Sequence, residues 1–156
     1  MPMAGNPTRV HAILVISSLK ETWQTRLVRS MATVLIVDDD PLQASLMMSL
    51  LGRGFGDVRR AKDAAGAFCL IEQPGFSCDL GLVISGHHTP GIGGPAFVKE
   101  LHQRMPKLPV LVIGSIHDQP ADYLDDHVVY LPRPSIGDQM LTLANQLLAQ
   151  RKSAAA

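Results

Sequence analysis

Apolar residues along this chain fall into two alternating patterns. One is the short unbroken run: Thr33 to Val37, Leu80 to Ser85, Pro109 to Ile113 and His127 to Leu131, with a more polar fifth stretch at Asp57 to Ala61. Runs of this length, with no polar residue at every second place, predict strands covered on both faces. The other pattern is the helical stripe. Leu42, Leu46, Met47 and Leu50 share a face after the first strand, and Ala64, Ala67, Phe68 and Ile71 do so after the second. Phe97, Val98, Leu101 and Met105 follow the third strand, and Ile136, Met140, Leu143, Ala144 and Leu147 close the chain.

Punctuation agrees with this division. Asp40 can cap the first helix with Pro41 at its first position, where a missing N–H costs nothing. Gly52, Gly54 and Gly56 end that helix, Asp63 can cap the next, and Pro74-Gly75 stops it. Pro95 opens the third helix, Pro120 to Asp126 leaves room for only a short one, and Ser135 with Asp138 resembles a capping box for the last. Strands alternate with helices five times. That order predicts an α/β fold, a five-stranded parallel sheet with helices on both faces, because parallel neighbours need crossovers and these are usually helical.

The periodic part runs over residues 31–151 and makes one domain; residues 152–156 read as a disordered tail. Residues 1–30 lack a period. They read either as an extension, disordered or produced by an upstream start, or as a strand from Val10 to Ile16 followed by a helix around Trp23. The apolar run Ala12 to Ile16 falls far short of the roughly 18 residues that suggest a membrane span.

Composition narrows the chemistry. The 156 residues are 46% hydrophobic and 18% charged, with 14 basic and 14 acidic side chains. A formal net charge of zero gives no whole-chain field for nucleic acid or an anionic membrane, so a protein or a small ligand is the expected partner. Two cysteines are too few for a disulfide framework and fit a reducing cytoplasm. Cys69 is expected as a small core residue on the apolar side of its helix.

Candidate chemistry gathers where apolar runs end. The first delivers Asp38, Asp39 and Asp40, and in open parallel sheets ligands bind beyond the carboxyl ends of strands. The third breaks into Gly86-His87-His88-Thr89-Pro90-Gly91-Ile92-Gly93-Gly94, and Arg133-Pro134 follows the fifth. His87 and His88 beside an acid pair suit a transition metal such as zinc or nickel, although adjacent histidines in a glycine-rich loop are more often plain surface residues.

Taken in order, Val37-Asp38-Asp39, Pro90-Gly91-Ile92-Gly93-Gly94 and Arg133-Pro134 resemble the receiver domain of bacterial two-component response regulators, over about residues 32–151. The resemblance implies flavodoxin-like topology. It also implies an Mg²⁺ site made by Asp38, Asp39 and an aspartate after the third strand, which takes a phosphoryl group from a histidine kinase, with a hydroxyl after the fourth strand and a lysine after the fifth holding the phosphoryl oxygens. Asp38 and Asp39 match. The phosphoacceptor position, four residues before Pro90, is Gly86; Ser85 and His87 flank it without supplying a carboxylate. The hydroxyl position is Gly114, with Ser115 one place on, and the lysine position is Arg133, whose planar fork is not equivalent to an ammonium.

The expectation is therefore a degenerate receiver, without catalytic residues or a required cofactor, that works in the cytoplasm by contact with a sensor kinase, a regulator, another receiver or a second copy of itself. Arg133 is expected to pair bidentately with the two acids. Two alternatives stand beside it: a receiver phosphorylated at a non-standard acceptor such as Ser85 or His87, and a metal or small-ligand sensor using Asp38, Asp39 and the histidines.

Overall fold

The computed structural model describes residues 32–118, 123, 125–133 and 137–155, with side chains through Gln150. The readings of residues 1–30 and of Ser135 and Ile136 fall outside the described residues, as does most of the expected short helix at 120–126.

Five strands form, β1 Thr33–Val37, β2 Asp57–Ala61, β3 Leu80–Gly86, β4 Val110–Gly114 and β5 Val128–Pro132. They build one sheet in the order β2-β1-β3-β4-β5, and every pairing is parallel. The helices are α1 Pro41–Leu51, α2 Ala64–Ile71, α3 Pro74–Asp79, α4 Gly94–Arg104 and α5 Gly137–Ala155.

The pleat of the central strands sorts the core into two layers, since successive side chains point to opposite faces. Val34, Ile36, Leu82, Ile84, Leu111 and Ile113 face α1 and α5, meeting Met47, Leu51, Met140, Ala144 and Leu147. Leu35, Val37, Val83, Val110 and Val112 face α2 and α4, meeting Ala64, Ala67, Ile71, Phe97 and Leu101. Both layers are buried, so the unbroken apolar runs are the expected consequence of two-sided burial.

The caps form as the sequence implies. Asp40 accepts the N–H groups of Leu42 at 2.9 Å and Gln43 at 3.3 Å, and Asp63 accepts that of Gly66 at 2.7 Å.

Four local expectations are corrected. The buried face of α1 is Ala44, Met47 and Leu51; Leu42 and Leu46 are 82% and 60% exposed, because the stripe that meets the sheet shares Met47 with the expected one but is rotated towards Ala44 and Leu51. Cys69 is exposed, since Ala67 and Ile71 take the inward positions of α2. Pro74, expected only to stop a helix, opens α3, where a proline at the first position is favourable. The final helix continues through Ala155 instead of giving way to a tail at 152, consistent with the high helix propensity of alanine.

Candidate functional site

Strand pairing determines which residues leave the sheet side by side. Val37 lies opposite Ser85, Ser85 opposite Val112, and Val112 opposite Tyr130. Asp38, Gly86, Gly114 and Arg133 therefore emerge at one edge, the carboxyl ends of the strands. Ladder bonds continue past the strand ends: the Asp38 N–H donates to the Ala61 carbonyl at 3.1 Å, that of His87 to Ile113 at 2.9 Å, and that of Arg133 to Gly114 at 2.7 Å. Together they wall a cavity of about 350 Å³ lined by Asp38, Asp39, Gly86, His87, His88, Gly114, Ser115, Asp118 and Arg133 among others.

The acidic wall is held by its backbone. Asp38 Oδ1 accepts the Asp40 N–H at 2.9 Å. Arg60, on edge strand β2, donates through Nε to the Asp38 carbonyl at 3.1 Å and through Nη2 to the Asp39 carbonyl at 3.2 Å. Burial pushes the Asp38 carboxyl above its ordinary value; the Asp40 N–H and the Arg133 charge oppose that rise, and the neighbouring Asp39 and Asp40 charges add to it. The expected bidentate pairing of Arg133 is not formed. Among the described residues no ion pair joins Arg133 to Asp38 or Asp39; Arg133 is exposed at the rim, where it also lines the outer groove beside Leu42 and Leu46. It acts on Asp38 through space, and Arg60 supplies the direct bonds.

Gly86 closes β3 next to Asp38. A Cβ there would meet nothing nearer than His88 N and Ile113 O, both at 4.0 Å, so the space for a side chain is open. Ser85 is 1% exposed, and its hydroxyl donates to the Gly86 carbonyl at 3.1 Å and lies 3.2 Å from Thr89 Oγ1. Thr89 also donates to the Gly86 carbonyl, at 2.8 Å. The loop that follows turns through Gly91 and Gly93, with φ of 105° and 74°, a region that L side chains rarely enter.

Gly114 is different from Gly86. A Cβ at Gly114 would overlap the Tyr130 hydroxyl, with Tyr130 Cζ at 2.7 Å and Asp118 Oδ2 at 2.8 Å. The Tyr130 hydroxyl lies 2.8 Å from the Ser115 carbonyl and 3.2 Å from Asp118 Oδ2, its single proton facing both. Burial, then the hydrogen bond to Asp118 and its charge, push the phenol up to about 12. Ser115 Oγ accepts the His117 N–H at 3.2 Å, and its own N–H donates to Asp118 Oδ2 at 2.7 Å. That N–H is the main cause of a lowered Asp118 carboxyl; burial opposes it, and Tyr130, His87 and His88 assist.

His87 Nδ1 lies 2.9 Å from the Tyr123 hydroxyl, and its ring packs edge-on against His88 and Tyr130. His88 Nε2 lies 3.4 Å from Asp118 Oδ1. The structure thus brings Asp38, Asp39, Gly86, Gly114, His87, His88 and Arg133 to one cavity. Sequence reasoning missed Asp118, Tyr130 and Arg60. Ser115-Ile116-His117-Asp118 carries the spacing of a side-chain-capped turn, which was the available signal for Asp118.

The sequence pattern of the response regulator receiver domain matches residues 34–126, and the chain belongs to that family. No curated protein matches it in sequence. Solved structures give the same fold. The signal receiver domain of an HD domain-containing protein from Pseudomonas fluorescens Pf-5 is 26% identical with a TM-score of 0.67, over 78% of this chain and 98% of that one. The response regulator receiver domain protein from Clostridium thermocellum is 18% identical with a TM-score of 0.66, over 80% and 99%. The receiver domain of a signal transduction histidine kinase from Syntrophus aciditrophicus is 20% identical with a TM-score of 0.63, over 76% and 91%. Flavodoxin-like topology is established by this agreement and by the strand order. Among the described residues no helix is long and apolar enough to cross a membrane.

Proposed function

We propose that this chain is a degenerate receiver of a two-component system, acting by protein contact and without aspartyl phosphorylation. The observation that carries the reading is Gly86. It stands at the carboxyl end of β3 beside Asp38, where the family keeps its phosphoacceptor, and has open space but no side chain. With Gly86 there, the family's metal set keeps two of its three carboxylates, so Asp38 and Asp39 do not complete an Mg²⁺ site of that kind. Tyr130 fills the place of the oxygen-binding hydroxyl, and Arg133 replaces the lysine.

The alternative acceptor Ser85 is disfavoured by its burial and by its hydrogen bonds to Gly86 and Thr89. No reaction is assigned to the chain. Its partner is a sensor kinase, a transcriptional regulator or another receiver, including a second copy of itself, in the cytoplasm. The test is intact mass after incubation with a small acyl phosphate and Mg²⁺. An unchanged mass supports the reading; a gain of one phosphoryl group overturns it.

A further inference from the structure

His87, His88 and Asp118 come from two loops, after β3 and after β4, yet one ligand atom of each lies within 4.8 Å of the others. We propose that these three residues form a binding site for a transition-metal dication, of which zinc is the best match. The proposal rests on this geometry alone and is independent of whether the acidic pocket is phosphorylated.

The donor set and its support point the same way. Two imidazoles and a carboxylate favour zinc over the hard cations that prefer all-oxygen sites. Tetrahedral zinc with bonds of about 2.0–2.2 Å places neighbouring donors about 3.4 Å apart. The separation of His88 Nε2 from Asp118 Oδ1 is 3.4 Å, so this pair already has the required spacing.

Metal ligands also need partners that hold them in orientation. Tyr123 holds the His87 ring through Nδ1 at 2.9 Å; in the tautomer whose Nδ1–H donates to that hydroxyl, Nε2 carries the lone pair offered to a metal. Asp118 is fixed through Oδ2 by the Ser115 N–H and Tyr130, which leaves Oδ1 facing His88. Two of the three ligands are thus held in place before any ion arrives. His88, 83% exposed, is the third ligand and closes the set. All three line the cavity that also contains Asp38 and Asp39, which has room for water or a further carboxylate. A bound ion would cross-link the two loops and stabilise the folded chain by mass action.

The test uses the purified full chain, zinc chloride alone, calorimetric titration and the melting temperature. Expected is one saturable site and a zinc-dependent rise in melting temperature. With Co²⁺ as a spectroscopic probe, visible bands of tetrahedral intensity should appear. His88→Ala, an exposed position, should weaken binding at least tenfold while leaving the metal-free melting temperature unchanged. Asp118→Asn, which keeps an acceptor for the Ser115 N–H, should weaken binding likewise but with some loss of metal-free stability, because the ionised carboxylate favours the fold, and His117→Ala should bind as the wild type does. Absence of saturable uptake would overturn the proposal, as would uptake unaffected by both His88→Ala and Asp118→Asn.

Discussion

Gly114 and Tyr130 should be energetically coupled, because one occupies the space that a side chain on the other would need. In Gly114→Ala the new Cβ overlaps the Tyr130 hydroxyl and crowds Asp118. The phenol is the movable group, so it must swing out of its place between Ser115 and Asp118. That forfeits a hydrogen bond to a charged acceptor and part of the ring's packing, about 2–3 kcal/mol in all. In a Tyr130→Leu background the hydroxyl and ring Cζ are absent, and Asp118 Oδ2 at 2.8 Å is the close contact that remains. There Gly114→Ala should cost clearly less than in the wild type, with part of the remaining strain offset by the stiffer unfolded chain. Urea unfolding followed by circular dichroism on all four proteins gives the coupling as a double-mutant cycle, with equal slopes required for a valid comparison. If Gly114→Ala is as stable as the wild type, or costs the same in both backgrounds, the steric account of this position is wrong.

Three further outcomes follow from the same cavity. Because burial raises the Asp38 carboxyl, its ionised form is disfavoured in the fold; Asp38→Asn should stabilise the chain at pH 7 by about 0.5 kcal/mol after solvent screening, and thermal melts should show the gain vanish in acid where both forms are neutral. Arg60→Ala removes the bonds to the Asp38 and Asp39 carbonyls and should cost about 1 kcal/mol in chemical denaturation; an unchanged midpoint would mean those bonds contribute nothing in water. The Tyr130 phenol, raised from 10.0 to about 12, favours the fold below its unfolded value; stability should fall as pH rises from 10 towards 12, and Tyr130→Phe should show a flatter alkaline decline.

The fold was legible because its signals are local and repeated. Strands buried on both faces write themselves as unbroken apolar runs, and Asp40-Pro41 and Asp63 announce their helices. Where local pattern was ambiguous it misled. Leu42 and Leu46 lie at helical spacing but on the solvent side of α1, since only tertiary contact decides which of two overlapping stripes faces the sheet. Cys69 failed for the same reason.

The site was legible in outline: Asp38, Asp39, Gly86, Gly114 and Arg133 do meet. Its internal bonding was not. Asp118 is joined to Tyr130 and His88 across separate loops, and Arg60 reaches Asp38 from β2, pairings that arise only when parallel strands bring distant residues to one edge. The counter-ion was sought in a bidentate Arg133, which bears on Asp38 only through space; the direct bonds, to the Asp38 and Asp39 backbone carbonyls, come from Arg60 on the strand paired with β1.

Under the proposed function, the pocket lacks a phosphoacceptor for want of one side chain at Gly86, and not for want of space. Wild type and Gly86→Asp should be incubated side by side with an acyl phosphate and Mg²⁺, then compared by intact mass. The degenerate reading requires no change for the wild type and one added phosphoryl group on the variant, lost when Mg²⁺ is chelated beforehand. A phosphoryl group on the wild type would contradict it.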